Sequence, residues 1–466
     1  MPPRRPPSVE HVLATARAGT AGRDPDAVLA VARDVVETER ARLLAGAGSN
    51  DAAALGLEVI ARLRAFDGLA AESGSPSVVP TAINATGVMV HTNLGRATWP
   101  AEAIEAARRA SRSPLLLELD RATGRRGPRF HVAEEHLIAL TGAEAALVVT
   151  SNAAAVALAV GLAGRGGAVA VSRGELLEIG GGVRIPEIIR RAGARLVEVG
   201  TTNRTRVGDF AAAFDEASRP IRLVLRVHPS NFIQTGFVEA PEPVELARLV
   251  HDRGAFLIDD LGSGAILPTE RFGLAHEPTP RERLAAGADV VTFSGDKLVG
   301  GPQAGLIVGR ADLISRIRRD PLARAMRPDK SILVAAAATF GLYRGGRAAT
   351  GIPLWRALAR STADLRQRAE AIRVALPADA AAVIETVATV GGGSLPGERL
   401  SSMGLALEAG SHGGASDLLA RLRSGEPAVI GRIERGRVIL DLRAVEPEDD
   451  ATLLARIRAT LARSLE

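Results

Sequence analysis

The chain contains no cysteine. Disulfides, thiolate metal centres and cysteine nucleophiles are thereby excluded. Lysine is almost missing as well: of 58 basic residues only Lys297 and Lys330 are lysines, and the other 56 are arginines. Because arginine stays protonated under all working conditions, chemistry that needs a neutral amine has two candidates. Aromatic residues make up 3%, with Tyr343 the single tyrosine, which argues against RNA held mainly by base stacking. The longest weakly apolar run, 145–164, is mostly alanine and is broken by Thr150, Ser151 and Asn152, so no membrane span is predicted. The amino terminus, MPPRRPPSVE, lacks the apolar stretch of a secretory signal, and a cytoplasmic protein is the expectation. Neither GxxxxGK[ST] nor GxGxxG after a strand occurs; Gly262-Ser263-Gly264 has Leu267 where the third glycine would fall. Nucleotide-dependent classes are disfavoured.

What remains is 466 residues, 46% hydrophobic and 24% charged, with a net charge of +5. That is the mix of a soluble globular protein of two or three domains. Residues 1–72 read as short helices with no strand signal, for example 27–44, where apolar positions recur at helical spacing. A Ser/Pro-rich linker is expected at 73–80. From 81 the texture changes to short apolar runs, each followed by a helical pattern: 145–150, 168–172, 195–200, 223–228, 255–260, 289–294 and 304–309. Such alternation predicts an α/β domain over 81–344 with a mostly parallel sheet covered on both faces. Active residues then belong at the carboxyl ends of the strands. After a glycine-rich break at 345–353, the remaining chain, 345–466, reads as a small α+β domain. It includes two strands around a turn at 434–436 and a terminal amphipathic helix.

Lys297 follows a strand candidate in a tight turn, Ser294-Gly295-Asp296-Lys297. Restricted access and a fixed approach suit a Schiff-base lysine. The same residues spell S-x-x-K, but no KTG or SDN element accompanies them. A pyridoxal phosphate enzyme also needs an acid for the pyridine nitrogen and an anion cradle. The strand ending in Asp259-Asp260 offers the acid, and since neighbouring strand residues point to opposite faces only one of the two can serve; a turn or cap role is the alternative. Thr150-Ser151-Asn152, between a strand and a helix, offers the cradle, or simply an N-cap. Arginines also stand among glycines in three loops, around Arg96, at Arg125-Arg126 with Arg129, and at Arg324 with Arg327. Guanidinium suits phosphate-like anions, but composition alone does not choose among 56 of them.

Five strings narrow the choice. Ile83-Asn84-Ala85-Thr86-Gly87 with His91-Thr92-Asn93-Leu94-Gly95-Arg96, Ser172-Arg173-Gly174-Glu175-Leu176 with Ile179-Gly180-Gly181, Val199-Gly200-Thr201-Thr202-Asn203-Arg204-Thr205, Asp260-Leu261-Gly262-Ser263-Gly264 and Ser294-Gly295-Asp296-Lys297 together resemble the bacterial selenocysteine synthases, the L-seryl-tRNA(Sec) selenium transferases. The resemblance runs from about 81 to 343. It implies a fold-type-I pyridoxal phosphate transferase acting on serine esterified to tRNA(Sec), with 1–72 as a tRNA-binding module. Lys297 would bind the cofactor and serve as base, Asp260 would pair with the pyridine nitrogen, and Thr150, Ser151, Asn152 and Ser294 would complete the cofactor site. Loss of water would give aminoacrylyl-tRNA, to which selenophosphate supplies selenium. Arg96, Arg129, Arg324 and Arg327 match the family's arginines for that anion, and Asp296 belongs to the lysine motif. The resemblance also implies a homo-oligomer, a ring of dimers, and no membrane partner.

This chain departs from the family pattern in three places. Thr150-Ser151-Asn152 stands where three asparagines are usual, leucines occupy 115–117 and 119 where an aromatic residue and an asparagine are usual, and the amino-terminal module has no positive excess. Rival readings are a fold-type-I lyase acting on a free amino acid and a non-catalytic tRNA-binding protein on the same scaffold. Over residues 1–80 there are 9 arginines against 10 acidic residues. Binding of tRNA by the full chain should therefore weaken only shallowly with salt, with a slope below that of the roughly 6–10 phosphate contacts of strong binders. A steep slope in filter binding across a salt series would contradict this.

Overall fold

The computed structural model describes residues 5–67, 80–127, 129–408 and 413–462. All of the expected linker except Pro80 lies outside them. The chain divides into two compact units, Met1–Ile83 with Leu422–Val429, and Asn84–Arg421 with Ile430–Glu466. In the first, the helices are Val9–Ala16, Pro25–Leu44 and Ala52–Asp67, the second of them spanning the periodic run at 27–44. Polar caps start them: Ser8 accepts from His11 N and Asp24 from Asp26 N, with Pro25 at the opening position of its helix. Their apolar faces meet in a core of Val12, Ala16, Ala32, Val35, Leu55 and Val59.

The second unit is built on a seven-stranded sheet: β1 (Ala145–Val149), β2 (Ala168–Ser172), β3 (Arg195–Val199), β4 (Ile221–Val227), β5 (Phe256–Gly262), β6 (Val290–Ser294) and β7 (Gly305–Gly309). Their order is β1-β7-β6-β5-β4-β2-β3. Neighbours from β6 through β5, β4 and β2 to β3 run parallel, and β7 alone is antiparallel to both of its neighbours. The near-continuous Val/Ile/Leu/Ala runs have their cause here. Helices cover the sheet, one core cluster holding Leu147, Val171, Leu223, Ile258 and Ile307, another Val148, Val291, Phe293, Leu306 and Phe340. Six strands therefore deliver their carboxyl ends to one edge.

The region after residue 345 supplies β8 (Ala381–Gly391), β9 (Leu400–Leu407), β10 (Arg432–Glu434) and β11 (Arg437–Asp441), the last two being the expected hairpin, and a terminal helix Asp450–Ala462. These strands join Val88–Val90, from ahead of the large sheet, in a five-stranded sheet. Val88–Val90 pairs parallel with the end of β8. That pairing brings the loop after β8 to the edge where the large sheet's strands end. Among the described residues no helix is long and apolar enough to cross a membrane.

Glycine matters structurally where β7 passes the β1 exit. A Cβ on Gly305 would lie 2.0 Å from Ser151 O, a backbone atom that cannot move without disturbing the helix cap beside it. Gly305→Ala should destabilise the protein by about 1–3 kcal/mol. Gly208→Ala, on a helix with nothing within 4 Å of the added carbon, should instead be neutral or stabilise by about 0.4–1 kcal/mol. Urea midpoints of the two variants check this ordering.

Candidate active site

At the exit of β6 the chain turns tightly. Gly295 N donates to Ala304 O, Gly300 N to Lys297 O and Gly301 N to Gly295 O, each at 2.9 Å. A Cβ on Gly295 would meet Pro302 O at 2.6 Å, so a glycine precedes Asp296 for steric reasons. The turn directs Lys297 inward, where its Nζ makes no hydrogen bond to a described residue. Burial holds this amine below the usual lysine range, Asp260 opposing by attraction of the ammonium and Arg96 adding to the depression by repulsion. Lys330, the other lysine, donates to Ser113 O at 3.1 Å and lies outside this group.

Asp260 is 4% exposed near the end of β5. Its Oδ1 accepts three hydrogen bonds, from Asn152 Nδ2 at 2.8 Å, Thr292 Oγ1 at 3.0 Å and Gly262 N at 3.2 Å. Its Oδ2 accepts none among the described residues. Burial raises the carboxyl's pKa, and the three donors and Lys297 counter that. Strand alternation separates the two aspartates as expected. Asp259 faces Arg226 and Arg283, at 3.9 and 3.5 Å. Thr292 pairs with Asp260 in the β5–β6 register, and the register then slips past Leu261. Gly262 and Gly264 accommodate the slip at φ of +64° and +67°.

Of the cradle residues, Ser151 caps helix Asn152–Val160, its hydroxyl accepting from Ala154 N at 3.2 Å. Asn152 is turned to Asp260, and its Oδ1 is buried without a partner. Thr150 is exposed at the end of β1, its N–H donating to Met326 O at 3.0 Å. Ser294 is buried at the end of β6, and its hydroxyl makes no hydrogen bond to a described residue. The arginines fall into two groups. Arg96 Nη1 donates to Asp296 Oδ2 at 2.6 Å, beside Lys297. Arg129 donates to Glu118 Oε1 at 3.0 Å and to Pro328 O at 3.1 Å, and Arg327 stands 3.7 Å from the same carboxylate. Arg324 is exposed on helix Pro321–Ala325 and joins neither group.

Sequence reasoning missed Thr292 and the loop after β8. Thr292 is the one polar residue inside Val-Val-Thr-Phe, a usable signal, but its partner depends on strand register. In the loop, Gly393 has φ +81°, and a Cβ there would fall 2.6 Å from Lys297 Nζ. Only glycine leaves room at that nitrogen.

A pyridoxal phosphate site needs a desolvated amine, an anionic acceptor for the pyridine nitrogen and donors for a phosphate. The residues fit. Lys297 Nζ has no hydrogen-bond partner among the described residues, Asp260 has an oxygen left over, and Ser294 ends β6 two strands from the β1 exit, where Thr150 precedes the start of helix Asn152–Val160. The orphaned Oδ1 of Asn152 marks the same place as awaiting a donor.

The family model described as SelA, L-seryl-tRNA selenium transferase, matches residues 82–446. The chain is 47% identical over 373 residues to an L-seryl-tRNA(Sec) selenium transferase of Rhizobium meliloti, covering 78% of this chain and 79% of the relative. It is 42% identical over 476 residues to that of Methylocella silvestris, covering 98% and 97%. A third relative of the same name, from Moorella thermoacetica, is 40% identical over 458 residues, 97% of this chain and 95% of its own. Among solved structures, D-glucosaminate-6-phosphate ammonia-lyase superposes with a TM-score of 0.59 at 23% identity, over 83% of this chain and 97% of that one, a likeness of fold. With the lysine, the aspartate and the arginine-bearing loops all inside the matched span, the chain belongs to the L-seryl-tRNA selenium transferase family.

Proposed function

We propose that the protein converts L-seryl-tRNA(Sec) to L-selenocysteinyl-tRNA(Sec), taking selenium from selenophosphate and using pyridoxal phosphate bound by Lys297. The observation that carries this reading is a partly buried lysine amine, with no hydrogen bond to a described residue, beside a buried aspartate that has one oxygen without a described partner, in a chain of this family. When bound, pyridoxal phosphate supplies an electron sink for charge at the α-carbon of an attached amino acid.

The chain's own groups supply the rest. Desolvation keeps a neutral fraction of Lys297, so its nitrogen can bind a carbonyl carbon and, once released, take the proton from the seryl α-carbon. Asp260, fixed through Oδ1, would hold the proton of a pyridine nitrogen at Oδ2. That charge pair makes the ring a stronger acceptor of electrons. Asp296 positions Arg96 beside the lysine, and the guanidinium's remaining N–H groups are available to an anion. Arg129 and Arg327, gathered on Glu118, would form a second anion-binding group. Arg324 belongs to this reading through the family motif. Thr150, Ser151 and Ser294 would meet the cofactor phosphate. Assembly as a ring of dimers, tRNA contact through residues 1–72 and a cytoplasmic location complete the reading, supported by family membership.

Incubation of the cofactor-loaded protein with seryl-tRNA(Sec) and selenophosphate should yield selenocysteinyl-tRNA(Sec). Lys297→Ala should lose at least about 10²–10⁴-fold in rate, and full turnover by that variant would overturn the mechanism. A second outcome concerns pH. Because the Lys297 pKa lies below the usual lysine range, reconstitution of the apoprotein with pyridoxal phosphate should accelerate as pH rises through a midpoint lower than that of a free lysine. Asp260→Asn removes a charge that stabilises the ammonium and should move the midpoint further down, whereas Arg96→Gln removes a repulsion and should move it up. Visible absorbance across a pH series reads both. Shifts in one common direction would contradict the assigned electrostatics.

A further inference from the structure

A cavity of about 460 Å³ opens where β2, β4 and β5 end, lined at its floor by Glu175, Arg226, Asp259 and Arg283 and at its wall by Phe232 and Ile233. Its size falls in the range of roughly 300–1,000 Å³ that encloses small ligands. It borders the reaction centre without including it. His228 at the rim donates its backbone N–H to Asp260 O at 2.8 Å, and Glu277 in the lining acts electrostatically on Lys297. Leu395 lines it two residues after Gly393, the glycine against Lys297 Nζ.

The floor is incomplete as it stands. Arg226 is 9% exposed, and its Nε and Nη1, with Arg283 Nε, are buried without a hydrogen-bond partner. The carboxylates near them stop at 3.5–3.9 Å, too far for hydrogen bonds. Buried guanidinium donors left unpaired are costly, so this arrangement points to a missing acceptor. A bare oxyanion is a poor occupant, since Asp259, Glu175 and Glu277 would face it. Burial pushes the Glu175 carboxyl up to about 7, so near neutral pH it can donate as well as accept. Acceptors, donors and an apolar wall together suit a nucleoside: hydroxyls and ring nitrogens for the floor, a planar base for the wall.

We propose that this cavity receives the 3′-terminal adenosine of the aminoacyl-tRNA, placing its esterified ribose at the mouth toward Lys297. The inference rests on the reading of aminoacyl-tRNA as substrate. Every such substrate carries its amino acid on that ribose, so a site for the nucleoside must adjoin the lysine.

The test uses the cofactor-loaded protein and the trinucleotide CCA as probe, with inorganic phosphate as a second probe. CCA should bind and compete with seryl-tRNA(Sec), and phosphate at equal concentration should not displace it. Arg226→Gln and Glu175→Gln should each weaken CCA binding about tenfold while the bound cofactor's absorbance is retained. Ile233→Trp, at a position 55% exposed where folding is not at stake, should narrow the mouth and weaken CCA binding comparably. CCA affinity unchanged in Ile233→Trp and in the folded floor variants, or displacement of CCA by phosphate, overturns the subsite. If the wild type still makes selenocysteinyl-tRNA in that case, only the subsite fails. A wild type that binds CCA but makes no selenocysteinyl-tRNA instead overturns the selenium-transfer reading while supporting the cavity assignment.

Discussion

A carboxylate buried to 4% exposure needs donors to offset its desolvation, and Asp260 sets that demand on the elements around it. Its Oδ1 takes donors from three places: the residue just inside the cap of helix Asn152–Val160, strand β6 and the last residue of β5. The helix start, the β5–β6 register with its one-residue slip, and the left-handed glycines at 262 and 264 are parts of one solution. With Oδ1 spent on the scaffold, Oδ2 is the oxygen left for chemistry. Lys297 benefits from the same arrangement, because the aspartate's charge partly offsets the desolvation of its ammonium. The site is thus a balance between a buried carboxylate and a partly buried amine of opposite sign, held by a sheet that brings six strand ends to one edge.

Much of this was legible in the sequence because it is local. Apolar runs of strand length with helical stretches between them became the sheet and its cover, and the periodic amino-terminal residues became three helices. Lys297 was legible by contrast, as one of two lysines in an arginine-rich chain, set in a turn that only glycine on either side permits. Family motifs then singled out Asp260 from Asp259. Alternation along a strand says that the two point apart, but which face holds the lysine is decided by packing.

Non-local matters stayed hidden. Thr292 reaches Asp260 because two strands pair in one register, which no window of residues encodes. Gly393 meets Lys297 across nearly a hundred residues, through a five-stranded sheet that borrows Val88–Val90 from a distant part of the chain. Ser151 and Asn152 carry scaffold bonds that no local pattern shows: the Ser151 hydroxyl accepts from the helix it caps, with its O–H left to donate, and the Asn152 amide donates to Asp260. At the second position of the family's three-asparagine pattern the Ser151 hydroxyl caps the helix, and at the third Asn152 supplies the amide that donates to the carboxylate.

The arginines raise the last question of charge. A guanidinium has five donors in a planar fork, and Arg96 uses one of them on Asp296 within the described residues. Glu118 accepts hydrogen bonds from Arg126 at 2.7 Å and Arg129 at 3.0 Å and stands near Arg327, so its own pKa lies below the usual carboxylate range, first through the hydrogen bond from Arg129. Neither carboxylate neutralises its group beyond use. In the proposed mechanism each orients the fork and leaves other N–H groups for an anion. The leucines at 115–117 and 119 do not empty that region of function, because Glu118 stands among them as the organiser of the arginines. Arginine suits this work since it cannot lose its charge, and for the same reason it cannot do what Lys297 does. A chain that uses arginine almost everywhere keeps a lysine at the position where the proposed mechanism needs a nitrogen that becomes neutral and forms a bond.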